Sequence, residues 1–191
     1  MILAAFRRNF HTHTIRALYG MIVAQARSAV FYTRFGVPDT VQGRFELIVL
    51  HLVLVLRRLG PGYDATLRAG RSRANDLGQG LFDTFCRDLD DNLREMGVGD
   101  LAVPKKMRGF GEAFYGRLAA YHAALAAADE RELEKALARN IFEVVGVDER
   151  AVQLADYARA SARQLDAAEE DSLLAGKAVF PNPGAFAHGR A

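Results

Sequence analysis

Between Phe45 and Leu56 the chain reads FELIVLHLVLVL, and only Glu46 and His51 interrupt its apolar residues. Asp39 or Thr40 can cap a helix here, Gly60 and Pro61 can stop it, and its polar residues sit almost only at the ends. A helix that is apolar on every side has no face to offer water, so other helices must surround it. The run is too short to cross a bilayer: at ~1.5 Å per residue it covers roughly 18 Å of a ~30 Å hydrocarbon layer. A helical assembly built round this segment is the expected fold.

The helical period recurs on both sides of it. Ile15, Leu18, Tyr19, Ile22, Val23, Ala26, Ala29 and Val30 predict a helix capped by Thr12 or Thr14 and stopped at Gly36, Val37 and Pro38. The glycine- and arginine-rich stretch 60–80 reads as a loop with a weak helical turn. After it come a helix carrying Leu81, Phe82, Phe85, Leu89, Leu93 and Met96, and then helices over 104–128, 131–145 and 149–174. The final KAVFPNPGAFAHGRA has two prolines and no period. There is no strand alternation and no internal repeat. At 191 residues and 50% hydrophobic composition, the chain has material for one domain and one core. The expected fold is all-α: a single compact domain of about six helices over residues 15–175, a basic N-terminal segment over 1–14, and a flexible C-terminal tail over 176–191.

A net charge of +2 neither calls for nor excludes a nucleic-acid partner. Its distribution says more, because every charged residue before Asp39 is an arginine: Arg7, Arg8, Arg16, Arg27 and Arg34. Cys86, the only cysteine, excludes an internal disulfide and a cysteine-based zinc knuckle and fits a reducing compartment. The start MILAAFRRNF places apolar residues before charges, the reverse of a secretory signal. An arginine-rich, acid-free start has the composition of an organellar presequence, yet the patterned region begins so soon after it that a mature N-terminus is expected.

Leu81 to Leu118 joins an acidic helix through a glycine hinge to a basic, glycine-interrupted one. Gly97 suits the left-handed cap of a Schellman motif, and Pro104 suits the first position of the next helix. Lys105 and Lys106 then stand at a helix start, where the dipole disfavours each cation by ~0.3 to 1 kcal/mol. Two kinds of partner offset that: the acidic stripe Asp88, Asp91 and Glu95, which is the expected one for Lys105, Lys106 and Arg108, or an external acidic or phosphate-bearing group on a client loop, a lipid or ribosomal RNA. Gly109, Ala113, Gly116 and Ala120 form one stripe of small residues, and since glycine in a helix interior costs ~1 kcal/mol relative to alanine, a closely packed neighbour is expected over it. That neighbour is an internal helix or, alternatively, a helix of a bound client. Met107, Phe114, Leu118, Tyr121 and Leu125 line another face and read as core. Tyr115, Arg117 and His122 lie off both faces and suit contact with a partner.

No catalytic constellation stands out. His51 invites a haem reading but has no second histidine or methionine in ligand register, so a satisfied core histidine is expected. Asp88, Asp90 and Asp91 in RDLDDN are similar to the aspartate-rich magnesium motifs of isoprenoid-diphosphate enzymes. The facing acidic motif such an enzyme needs is missing.

Two blocks carry a family likeness. FYTRFGVPDTVQGRFELIVLHLVLVLRRL (31–59), LREMGVGD (93–100), KKM (105–107) and FYGR (114–117) resemble the ubiquinol-cytochrome c chaperone family, whose members assist assembly of the respiratory cytochrome bc complex. The resemblance spans roughly residues 18–127. It implies a non-enzymatic chaperone domain over 15–175 that binds newly made cytochrome b, without cofactor or metal. It implies a second small assembly factor as a further partner and peripheral contact with membrane lipid or the ribosome, but no DNA. The implied location is cytoplasmic, at the inner membrane, or its matrix side in a eukaryote. Together with the charge pattern it nominates Arg44, Arg94, Asp100, Lys105, Lys106, Gly109, Ala113, Tyr115, Gly116 and Arg117 for client binding, and Arg7, Arg8 and Arg16 for proximity to the membrane. A helical adaptor or regulator acting on another membrane protein or on RNA is the alternative; an isoprenoid-diphosphate enzyme with an Asp-rich magnesium site is a remote one.

Overall fold

Val41 to Leu59 form the helix, α3, around which the others are arranged. The Thr40 hydroxyl accepts a hydrogen bond from the Gly43 amide at 3.1 Å, and Gly60, at φ 90°, ends the helix. Residues on all sides of it, including Leu47, Val49, Leu50 and Leu52 to Leu56, are 0% exposed. The computed structural model describes residues 2–60, 72–146 and 148–187, with the backbone alone for 2–11. Among the described residues eight α-helices and a short 3-10 turn are present, and no strand. The other helices are α1 (Ile2–Ala26), α2 (Ala29–Thr33), α4 (Arg73–Glu95), α5 (Val103–Ala126), α6 (Arg131–Ile141), α7 (Glu149–Ala167) and α8 (Glu170–Leu174). Helices α1, α4, α5, α6 and α7 all touch α3. This is the enclosure its composition demands.

Several boundaries differ from expectation. α1 starts at Ile2 rather than Ile15, so Thr14, 3% exposed in mid-helix, caps nothing. The helix breaks after Ala26 and restarts as α2, and the turn at Gly36 has φ 68°. α4 starts at Arg73, eight residues before the predicted Leu81, with the Ser72 hydroxyl accepting from the Asn75 amide. Its glycines are tolerated because α1 lies close: a Cβ on Gly80 would sit 2.3 Å from Ile15 Cδ1. The remainder of the expected loop, 61–71, lies outside the described residues. The helix predicted over 149–174 divides into α7 and α8 at Ala168 and Glu169.

Beyond Leu174 no further α-helix is present among the described residues, and the chain returns to the core instead. Gly176 fits against Thr14 and Ala17, and Gln25 donates to the Pro181 carbonyl at 3.2 Å. Arg34 donates to the Ala187 carbonyl. Ala187 itself is 3% exposed.

Candidate functional site

The buried polar side chains His51 and Glu46 both have internal partners. His51 is 0% exposed. Its Nδ1 donates to the Leu47 carbonyl at 2.7 Å, and its Nε2 accepts from the Tyr157 hydroxyl at 2.8 Å. Gln25 in turn donates to Tyr157 at 2.9 Å. With both ring nitrogens occupied there is none left for haem iron. Burial lowers the His51 pKa to about 4, so the ring is neutral at physiological pH. Asp88, half of the suggested magnesium pair, accepts a hydrogen bond from the Tyr19 hydroxyl at 2.8 Å, while Asp91 is exposed. Among the described residues no group of three or more histidines, cysteines and carboxylates is placed to share a metal ion.

The hinge between α4 and α5 is built as its sequence predicts. The Val98 amide donates to the Leu93 carbonyl and the Gly97 amide to the Arg94 carbonyl, the Schellman pair, with Gly97 at φ 78°. Arg94 bridges Asp90 at 2.7 Å and Asp100 across the turn. Arg94 and Asp100, nominated for client contact, therefore brace the hinge.

The expected pairing of the acidic stripe with the lysines does not form. Lys105, Lys106 and Arg108 are exposed and make no ion pair with any described residue. The carboxylates turn elsewhere: Asp88 receives Tyr19, and Asp90 receives Arg94. Asp88 is held by Tyr19 of α1, while Asp91 and Glu95 are exposed.

Arg117 also departs from its expected role. Instead of reaching solvent, it grips Glu46 of α3 with three contacts of 2.6 to 3.1 Å. Glu46 is 1% exposed and Arg117 21%. The Glu46 carboxylate raises the guanidinium pKa despite partial burial. This pair ties α5 to α3, and it accounts for a carboxylate inside an otherwise apolar helix. Arg44 is engaged too, at the surface, with Asp39 at 2.7 Å.

The small stripe on α5 is divided. Ala113 and Ala120 pack at the edge of the core. Gly109 and Gly116 are exposed, and a Cβ on either would meet nothing within 4 Å. No internal helix covers them, which removes the internal-packing explanation for these two glycines. Tyr115, 44% exposed, leans its ring on Phe82 and Phe114 beside this open face.

Next to the face lies a groove of about 180 Å³ between α3 and the α4–α5 hairpin, where the sequence pattern leads one to expect a cleft. Val41, Phe45 and Ile48 of α3 form one wall, Phe85, Leu89, Leu93 and Met96 of α4 the other, and Phe110 of α5 the end. Arg27, Arg44 and Asp88 stand at its rim. The Phe45 and Phe110 rings are 4.9 Å apart, and Met96 is 55% exposed. Three segments distant in sequence make this groove, so no local pattern announces which side chains line it. Arg16 is exposed on α1, while the side chains of Arg7 and Arg8 lie outside the described residues.

The groove draws on the two blocks that carried the family likeness, and comparison with known proteins agrees with them. A family model described as ubiquinol-cytochrome C chaperone matches residues 33–180. The crystal structure of the Cbp3 homolog from Brucella abortus is similar with a TM-score of 0.81 and 36% identity, over 96% of this chain and 98% of that one. No match was found among curated protein sequences. On the extent of the family match and the similarity along nearly the whole chain, the protein belongs to the ubiquinol-cytochrome c chaperone family.

Proposed function

We propose that this protein is a non-enzymatic chaperone for assembly of the ubiquinol-cytochrome c reductase, and that it holds newly made cytochrome b at the α3–α4–α5 groove and the adjoining open face of α5. The observation that carries this reading is the convergence of the family motifs on one unoccupied apolar surface. Val41 to Ile48 come from the first block, Leu93 and Met96 from LREMGVGD, and Phe110 lies between KKM and FYGR. The groove accepts an apolar side chain. The bare glycines Gly109 and Gly116, with Ala113 and Tyr115 beside them, let a client helix approach the α5 backbone closely.

No helix among the described residues is long and apolar enough to cross a membrane, so contact with a membrane-bound client is peripheral in this reading. A second assembly factor remains compatible with the free surface.

Affinity purification of the tagged protein from gently solubilised native cells, with mass spectrometry and a haem absorbance scan, tests the proposal. Cytochrome b recovered without the mature complex is the expected result, and a b-type haem signal would place binding after haem insertion. Enrichment of RNA, or of an unrelated membrane protein without cytochrome b, would favour the adaptor reading instead.

A further inference from the structure

The hinge tip adjoins the groove, with Met96 at their junction. From Met96 to Lys106 only Val98 and Val103 are drawn inward; the other residues are exposed. At its apex Leu101 is 99% exposed, among the most exposed large apolar side chains described, and Met96 is 55% exposed. Lys105, Lys106 and Arg108 follow within two helical turns without a carboxylate partner among the described residues. Of the neighbouring carboxylates, Asp100 is paired with Arg94, while Glu95 and Glu112 are exposed.

We propose that this tip is a lipid-contact element, with Leu101 entering the headgroup region of an anionic bilayer and Lys105, Lys106 and Arg108 meeting its phosphates. Shape and charge together favour a bilayer over a protein. Leu101 stands 99% exposed on a turn of Gly97, Gly99, Ala102 and Pro104, whose small side chains give a protein partner little to interlock with. A fluid surface requires no matching shape, only an apolar layer beneath anionic charge. The cations gain there the stabilisation they lack internally, since basic groups are attracted to an anionic surface. Lys105 and Lys106, nominated above for the client's polar flank, are thereby assigned to lipid.

The inference is independent of what the groove holds, and its test needs no client. The purified full chain is sedimented with phosphatidylcholine vesicles, with and without phosphatidylglycerol, and compared with Leu101→Asp and with Lys105→Glu/Lys106→Glu. Because these side chains are exposed, the variants retain the wild-type circular dichroism and melting temperature. Binding is expected only with the anionic lipid, to weaken with added salt, and to fall by roughly tenfold or more in each variant. No binding to anionic vesicles would overturn the proposal. So would wild-type binding by either variant: insensitivity to Leu101→Asp would reduce the contact to charge alone, and insensitivity to the lysine reversal would move it elsewhere, the N-terminal arginines first.

Discussion

Glu46 is the one carboxylate of α3 and is buried, and Arg117 is the partner that meets it there. A buried ion pair is weak evidence for stability as a whole, but removing one member leaves the other desolvated and unpaired. Arg117→Ala is expected to destabilise the fold by about 3 to 5 kcal/mol in urea unfolding, and Glu46→Leu combined with Arg117→Met to recover most of that loss. An unchanged midpoint in Arg117→Ala would show that water, not Arg117, compensates Glu46. His51 imposes a pH dependence of opposite origin. Its folded pKa, about 4, lies below the unfolded value of about 6.5, so in that interval the unfolded chain binds a proton that the folded chain refuses. Stability from this group is complete above about pH 6.5 and falls as pH drops towards 4, by up to ~1.4 kcal/mol per pH unit. His51→Gln should flatten that part of the stability curve. An identical acid limb in the variant would assign the slope to other groups.

At the scale of the elements, the glycines separate structure from function. Gly43 lies against the backbone: a Cβ there would be 2.0 Å from the Pro38 carbonyl oxygen, an atom that cannot swing aside. Gly43→Ala is therefore expected to lower stability by about 2 kcal/mol or more, against the ~1 kcal/mol that alanine ordinarily adds to a helix. Gly109 and Gly116 lie in the same kind of secondary structure with open space before them. Alanine at each should raise stability by up to ~1 kcal/mol. If a client helix rests on α5, the same two variants melt higher yet capture less cytochrome b. A variant that is more stable and captures as well as wild type would remove the α5 face from the client site. The expectation that an internal helix covers the stripe fails for a geometric reason. Ala113 and Ala120 sit on the core-facing edge, and Gly109 and Gly116 of the same stripe are turned outward by the helical rotation.

For the molecule as a whole, the groove should act as a unit because α3, α4 and α5 each supply a part of it. Met96→Asp places a charge on an exposed rim position, so folding is expected to survive while recovery of cytochrome b falls several-fold, about 1 to 2 kcal/mol of affinity for one apolar contact. Undiminished recovery with a normal melting profile would separate the groove from client binding. The amino-acid sequence by itself determined the helical class, the central place of α3, the Schellman turn at Gly97 and the family, since each rests on residues near one another in the chain: an uninterrupted apolar run, a cap residue, a contiguous motif. Helix period located α5 and its buried face correctly for the same reason. Tertiary structure alone decided which partner each charge takes and where the free surface lies. Arg117 meets a carboxylate 71 positions away, Asp88 meets Tyr19 across 69, and Gln25 reaches Pro181 across 156. Such pairings depend on how helices cross, which periodicity does not encode. The glycine-rich start of α4 was equally illegible: low helix propensity suggested a loop, but the fit of Gly80 beneath Ile15 becomes visible only when α1 and α4 are brought together.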